Sequence, residues 1–203
     1  MSLSAQIKHP HTRIDEIARA LDEGDHDARW AQLSELSRSE QRTLYEKAAA
    51  SPPIDLAYFT GAAGERVEVI HDGRNTLPLP TPLRRFQKRF CRSSNGARDA
   101  HVFGYNEGPT KKVIGPGYFV AIPTDGKPAW EARGAVVIDY YQVPGSAVAP
   151  GWPEVVPNDH GLQRFVYDQT RDFMRRVSQH VSVGAAFKRE RPLDHYFVLC
   201  RRD

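Results

Sequence analysis

Apolar residues recur at helical spacing through the first fifty positions of the chain. Residues 14–21 carry an apolar stripe with the period of an α-helix, and Thr12 just before them is a residue type that caps helix N-termini. Asp25 and Ser37 can cap two further helices, each with apolar positions on one side. The pattern therefore predicts an N-terminal helical segment of three short helices over residues 1–50.

The period changes after Ser51-Pro52-Pro53, a helix-breaking sequence that we take as a boundary. Beyond it, residues 101–106, 113–122 and 134–143 have strand-like composition and are separated by turn sequences. Strands that follow one another without intervening helices favour an antiparallel meander over a parallel nucleotide-binding fold. Residues 51–203 are therefore predicted to form a second, antiparallel α+β domain.

A long helix is predicted over residues 161–180, with Asn158 or Asp159 as its cap. Its broad apolar stripe consists of Leu162, Phe165, Val166, Phe173, Met174 and Val177. At 1.5 Å per residue such a helix extends about 30 Å, which is enough to cross a domain. The predicted fold class is therefore α+β: a curved antiparallel sheet packed on one long C-terminal helix and preceded by a short N-terminal helical segment.

A second helix of this part, residues 81–92, is predicted to be basic on one side. Thr81-Pro82 is typical of a helix start, and Leu83 and Phe86 begin an apolar side. The other side has no acidic residue and five cations, namely Arg84, Arg85, Lys88, Arg89 and Arg92. Because like charges repel one another, this basic surface is a candidate for docking an acidic partner.

The charge of the whole chain is only mildly basic. Its 203 residues include 28 Lys and Arg against 25 Asp and Glu, a net charge of +3 with neutral histidines. Residues 1–50 are net acidic, so the basic excess belongs to residues 51–203. An acidic helical segment does not favour binding in a DNA groove, so nucleic acid is not expected as a partner. A protein partner that binds residues 1–50 fits this segment better.

Cysteine usage and hydropathy predict a soluble cytoplasmic protein. Cys91 and Cys200 are the only cysteines, and neither belongs to a pair with metal-ligand spacing. No metal and no cofactor are therefore expected. The apolar runs are strand-length, and residues 1–11 lack the apolar region of a signal peptide, so no transmembrane segment is predicted.

Known catalytic motifs are absent, which leaves open whether the protein is an enzyme. The sequence contains no HExxH, GxSxG, SxxK, Walker A or protein-kinase signature. Gly115-Pro116-Gly117 lacks the third glycine of a dinucleotide fingerprint and is interpreted as a bend in a strand.

The leading hypothesis is a binding site for a small, partly apolar and possibly anionic molecule between the sheet and the long helix. Several tyrosines fall on predicted strands, and a buried tyrosine needs a partner for its hydroxyl. Asp139 shares a strand face with apolar residues, His180 ends the predicted helix, and Lys111 can attract an anion. The candidate ligand-binding residues are Lys111, Tyr118, Asp139, Tyr141 and His180. The proline-rich residues 144–158 are expected to gate this cavity.

Two alternatives remain open from the sequence. In the first, the same cavity is an active site, with Asp139 or His180 as general acid or base. In the second, the protein is an interaction module that docks an acidic partner on the basic helix of residues 81–92.

Overall fold

The computed structural model, which describes residues 1–93 and 101–202, shows a closed barrel of eight antiparallel strands. Each strand pairs with the next along the chain, and the last strand pairs with the first to close the barrel. The strands are β1 (Val69–Asn75), β2 (Arg85–Arg92), β3 (Val102–Glu107), β4 (Phe119–Pro123), β5 (Val136–Asp139), β6 (Thr170–Arg176), β7 (Val181–Lys188) and β8 (Arg191–Arg201).

The helices are short, and five of them precede the first strand of the barrel. They are α1 (Leu3–Lys8), α2 (Ile14–Asp22), α3 (His26–Leu33), α4 (Arg38–Lys47), α5 (Leu56–Thr60), α6 (Lys111–Ile114), α7 (Pro128–Glu131) and α8 (Gln163–Val166). Two 3₁₀ turns lie at Ala48–Ala50 and Thr81–Arg84. Among the residues that the structure describes, no helix has the length and hydropathy needed to cross a bilayer.

The N-terminal helices pack on the outside of the barrel, against β7 and β8. Helix α4 begins with a capping box in which Ser37 and Glu40 satisfy each other's backbone N–H groups. Apolar side chains of these helices bury themselves against strand residues such as Val183 and Val198. Helices α2, α3 and α4 lie where the sequence pattern places helices, whereas the division of the chain into a helical segment and a β domain stays a prediction.

The predicted α+β fold with one long C-terminal helix is wrong, because residues 161–180 contain the four-residue helix α8 and the strand β6. Both faces of β6 are buried. Met174 belongs to the barrel interior, while Phe173 contacts the rings of Trp130 and Phe187 outside it. Two neighbouring apolar residues on opposite faces interrupt the period-2 alternation of a strand. Together with the apolar residues around α8, Phe173 and Met174 therefore imitate the stripe of one helix.

The predicted basic helix of residues 81–92 is also wrong, because this segment is a 3₁₀ turn followed by β2. Phe86 and Phe90 both face the barrel interior, and Lys88 lies between them on the same face. A spacing of four positions fits one turn of a helix and equally two pleats of a strand. The five cations therefore do not share one exposed side.

Helix α5 closes one end of the barrel. Phe59 is fully buried there, and its ring stacks on Phe90 with a centroid distance of 4.9 Å. The hydroxyl of Tyr58 donates to the carbonyl of Ser178 over 3.3 Å. His71 Nε2 lies 3.0 Å from the carbonyl oxygen of Phe59. The chain thus fills this end with its own side chains, and we call it the closed end.

The proline-rich residues 144–158 do not gate the interior. Val148, Ala149 and Trp152 pack on the outer face of the barrel, against a cluster that includes Phe103. The indole N–H of Trp152 donates to a carboxylate oxygen of Glu68 over 2.6 Å. The expected gate is therefore a strap across outward-facing strand residues.

Candidate functional site

A cavity of about 450 Å³ lies at the barrel end opposite α5, which we call the open end. Its walls come from the inner faces of the strands and from the loops that join β1 to β2, β3 to β4 and β5 to β6. Most side chains that line it are apolar or aromatic. They include Phe86, Ile114, Phe165, Val166, Tyr167 and Phe197.

Four polar side chains, from β2, β3, β6 and the residue that follows β5, meet at the floor of this cavity. The ammonium of Lys88 lies 3.2 Å from a carboxylate oxygen of Asp172 and donates to the amide oxygen of Asn106 over 3.0 Å. It also contacts the hydroxyl of Tyr140, which lies 3.3 Å from Asp172 Oδ2. We call these residues the polar floor. Alternate positions of a strand face inward, so the barrel brings all four together from distant parts of the chain.

Aromatic rings surround the Lys88 ammonium on its other sides. The ring centroids of Phe119 and Phe197 lie 4.9 Å from Nζ, and that of Tyr140 lies 5.0 Å away. A cation near a ring face is attracted by the ring quadrupole, most strongly when water is excluded. The lysine side chain is 2% exposed. Its charge is therefore compensated by one carboxylate and by aromatic faces.

Burial in the polar floor favours the uncharged form of each ionisable group and shifts the pKa of each group accordingly. Loss of water raises the pKa of Asp172 and lowers the pKa of Lys88, and their mutual attraction opposes both shifts. Burial and the nearby Asp172 carboxylate raise the pKa of Tyr140 well above its ordinary value. Whether the shared proton resides on Lys88 or on Asp172, the pair has no net charge.

A second interaction ties the polar floor to the mouth loops. Asn106 Nδ2 donates to the carbonyl of Gly117 over 3.1 Å, and the N–H of Gly117 donates to Gln163 Oε1 over 2.9 Å. Gly117 has a φ of +56°, and a Cβ there would lie 2.4 Å from the ring of Tyr167. Glycine is required at this position because any side chain would collide with the Tyr167 ring.

The polar floor offers hydrogen-bond donors and acceptors rather than metal ligands. Within residues 1–93 and 101–202, no group of three or more His, Cys, Asp or Glu side chains is placed to hold a metal ion. The hydroxyl of Tyr140 and the amide of Asn106 can each donate and accept. The site can therefore bind a polar group of a ligand by exchanging hydrogen bonds with it.

The five residues proposed from the sequence as ligand-binding do not come together. Lys111 lies at the mouth of the cavity, where it forms an ion pair with Glu107 over 2.5 Å. Tyr118 is buried beneath the strap, and its hydroxyl donates to the carbonyl of Pro153 over 2.5 Å. His180 belongs to the turn between β6 and β7, at the closed end.

Asp139 and Tyr141 lie on the outer side of the barrel wall. The Asp139 carboxylate lies 3.3 Å from Arg171 Nε and accepts from the backbone N–H of Tyr141 over 3.0 Å. The Arg171 guanidinium lies 4.0 Å from the centroid of the Tyr141 ring. Asp139 is thus a buried partner of an ion pair and does not line the cavity.

The basic residues proposed as one surface are separated. Lys88 belongs to the polar floor, and Arg85 lines the cavity mouth. Arg89 forms an ion pair with Glu68 over 2.9 Å on the outer wall, and Arg92 donates to the carbonyl of Ala63 over 2.5 Å. Arg84 donates to the carbonyl of Leu79 over 2.6 Å.

Sequence reasoning missed Asn106, Tyr140 and Asp172 and misplaced Lys88. The signal was a polar residue two positions from apolar residues within a strand, as in Phe86-Gln87-Lys88-Arg89-Phe90. Asp172 likewise lies two positions before the apolar Met174 in β6. A charge at an inward position of a strand must find a partner, so two such positions of opposite charge predict a buried pair.

Comparisons with known proteins assign no function to this geometry. The role of the site is therefore inferred from the contacts of its own residues. No protein-family model, no curated protein and no solved structure matches the chain.

Proposed function

We propose that the barrel binds a small, largely apolar molecule with an uncharged polar group, and that this group reaches the polar floor. The single observation that carries the proposal is the buried Lys88–Asp172 pair beneath an open apolar cavity. The cavity volume of about 450 Å³ is within the range of roughly 300–1,000 Å³ typical of small-molecule sites.

The stability of the fold does not require an ion pair at this place. Removing two charges from water is unfavourable, and replacing a buried pair by apolar residues of similar volume is often neutral or stabilising. Apolar side chains would fill the barrel interior equally well, as they do at the closed end. The presence of the pair beside an opening therefore supports a role in recognition.

The charge balance of the floor favours a neutral ligand group. A ligand carboxylate would meet the buried Asp172 side chain, and a ligand amine would meet Lys88. A hydroxyl or carbonyl group avoids both repulsions and can exchange hydrogen bonds with Tyr140 and Asn106. The expectation of an anionic ligand is therefore replaced by that of an uncharged one.

The other two functions considered from the sequence have weaker support. The enzyme hypothesis used Asp139 or His180 as general acid or base, and neither residue lines the cavity. The docking hypothesis used a basic helix over residues 81–92, which is a turn and a strand. We retain the cytoplasm as the proposed location, because Cys91 and Cys200 are both thiols in the barrel wall.

Competition between ligands with one apolar body and different head groups tests the proposal. The neutral fluorescent probe N-phenyl-1-naphthylamine would be titrated first, and then displaced by decanol, decanoate or decylamine. We expect decanol to compete about tenfold better than either charged analogue, because only it adds no net charge to the floor. Equal competition by all three would contradict the assignment of the head group.

A variant that occludes the cavity controls for binding elsewhere. Ala186 lines the cavity and lies opposite Asp172 on the neighbouring strand, so Ala186→Phe should abolish probe binding. Ala132→Phe makes the same change at an exposed position after α7 and should leave binding unchanged. The proposal fails if the native protein shows no saturable binding or if Ala186→Phe binds the probe normally.

A further inference from the structure

Exposed apolar side chains concentrate around the mouth of the barrel. Nine large hydrophobic residues are exposed in the part of the chain that the structure describes, and six of them lie around the mouth, five between strands and one near the start of β8. These are Leu83, Val113, Leu162, Phe165, Val166 and Leu193. The side chains of Val113 and Phe165 are the most exposed of the six, at 70% each. Exposed apolar side chains that gather at one end of a barrel indicate an interaction surface.

Exposed cations stand directly beside these apolar residues. Lys112 precedes Val113 in α6, and Arg164 precedes Phe165 in α8. Both cations are exposed, and neither forms an ion pair with any residue in the described ranges. They are therefore available to a partner outside the chain.

Several acidic residues of the same loops are already neutralised by cations of this protein. Glu107 pairs with Lys111 over 2.5 Å, and Glu190 pairs with Arg171 over 2.5 Å. Asp194 lies 3.6 Å from Arg38. Lys112 and Arg164 therefore stand beside the apolar residues without such a partner, and the loop before β6 also carries Asp159 and Asp168.

We infer that the mouth of the barrel docks onto an anionic lipid surface. Apolar side chains flanked by exposed Lys and Arg match the boundary between acyl chains and negatively charged headgroups. A second copy of the chain fits less well, because a symmetric mouth-to-mouth dimer would bring Lys112 and Arg164 against their own copies. This inference goes beyond ligand binding, since it concerns the rim of the cavity and not its floor.

Co-sedimentation with vesicles tests the inference directly. The full chain would be mixed with vesicles of phosphatidylcholine alone or of phosphatidylcholine with phosphatidylglycerol. We expect about tenfold stronger partitioning to the anionic vesicles, decreasing as salt is raised, because several exposed cations face the headgroups. No partitioning, or equal partitioning to both vesicle types, would overturn the inference.

Matched variants separate the mouth from the rest of the surface. Val113→Ser/Leu162→Ser and Lys112→Glu/Arg164→Glu should each weaken partitioning about tenfold or more. None of these four side chains lines the cavity, so probe binding should be unchanged. Val67→Ser and Arg13→Glu/Arg19→Glu change exposed residues elsewhere and should have little effect.

Two outcomes of these variants would reject the lipid assignment. The first is an equal loss of partitioning in the control variants, which would indicate nonspecific adsorption. The second is concentration-dependent dimerisation, measured by sedimentation velocity without lipid, that Val113→Ser/Leu162→Ser abolishes. That result would assign the apolar mouth to a second copy of the chain.

Discussion

The two ends of the barrel differ in how the interior is filled. At the closed end, Phe59 of helix α5 inserts between the strands and stacks on Phe90. The buried His71 there lies within hydrogen-bond distance of the backbone of α5. At the open end, the short helices α6 and α8 line the mouth without filling it, and Lys88 and Asp172 pair beneath a cavity.

This difference separates the groups that stabilise the fold from the groups that are available to bind a ligand. The closed end is completed by the chain itself, so its residues act in stability. The polar floor of the open end combines charge, hydrogen-bonding capacity and adjacent empty volume. Variants at each end, compared by their effect on stability, test whether the two ends differ in this way.

The largest expected effect is a loss of stability at the closed end. Phe59→Ala should lower the free energy of unfolding by about 4 kcal/mol, because it removes a fully buried ring and leaves a void. Phe165→Ala at the open mouth should change it by less than about 0.5 kcal/mol, because that ring is 70% exposed. Urea unfolding measures both values, and similar losses would contradict the comparison.

Breaking the polar floor from one side should be the next largest effect. Lys88→Met alone, or Asp172→Leu alone, leaves one buried charge without its partner and should cost about 3 kcal/mol of unfolding free energy. Arg42→Met breaks an exposed ion pair with Glu46 and should have a much smaller effect, because solvent screens that pair. If either floor variant is as stable as the native protein, the charges are not desolvated as the structure indicates.

Acid should destabilise the closed end through His71. Burial lowers the pKa of His71 from 6.5 to about 3 in the folded protein, so the unfolded chain binds the proton first as the pH falls. The stability contributed by neutral His71 is therefore complete above about pH 6.5 and decreases toward pH 3. The loss between pH 7 and pH 5 should be about 2 kcal/mol.

Variants show whether this loss belongs to His71. Urea unfolding of His71→Gln should depend less on pH over this interval than unfolding of the native protein. His9→Gln alters an exposed histidine and should keep the native slope. An unchanged slope in His71→Gln would show that another group is responsible.

Added volume should produce the smallest effects on stability and still distinguish the ends. Ala121→Phe overfills the closed part of the interior and should cost about 1–2 kcal/mol. Ala186→Phe enters the cavity, so its cost should stay below about 1 kcal/mol. Thermal unfolding of both variants provides the comparison, and equal destabilisation would indicate that the open end has no free volume.

Local sequence signals could predict α2, α3 and α4, but not α1 or α5, among the helices that precede the barrel. Ser37 and Glu40 form the capping box that their spacing indicates, and Asp25 accepts from the N–H of Ala28 at the start of α3. A cap involves residues about three positions apart, so it can be recognised from the local sequence whatever the tertiary packing is. The antiparallel order of the strands likewise follows from the turn sequences between them.

The barrel and its site depend on contacts that no short segment contains. Residues 161–180 imitate a helix because Phe173 and Met174 are neighbours on opposite faces of β6, and residues 81–92 because Phe86 and Phe90 are four positions apart. Lys88 and Asp172 are brought together when the sheet closes on itself. Long-range pairing of this kind overrides local pattern.

The double variant Lys88→Met/Asp172→Leu distinguishes a ligand-binding pair from a structural one, when its unfolding and its affinity for N-phenyl-1-naphthylamine are measured in parallel. If the pair serves a ligand, the variant should unfold within about 1 kcal/mol of the native protein or be more stable. The ability of decanol to displace the probe should fall about tenfold or more, because Asn106 and Tyr140 lose the Lys88 and Asp172 partners that hold them in place for the ligand. A loss of about 3 kcal/mol in stability together with unchanged displacement by decanol would contradict the account.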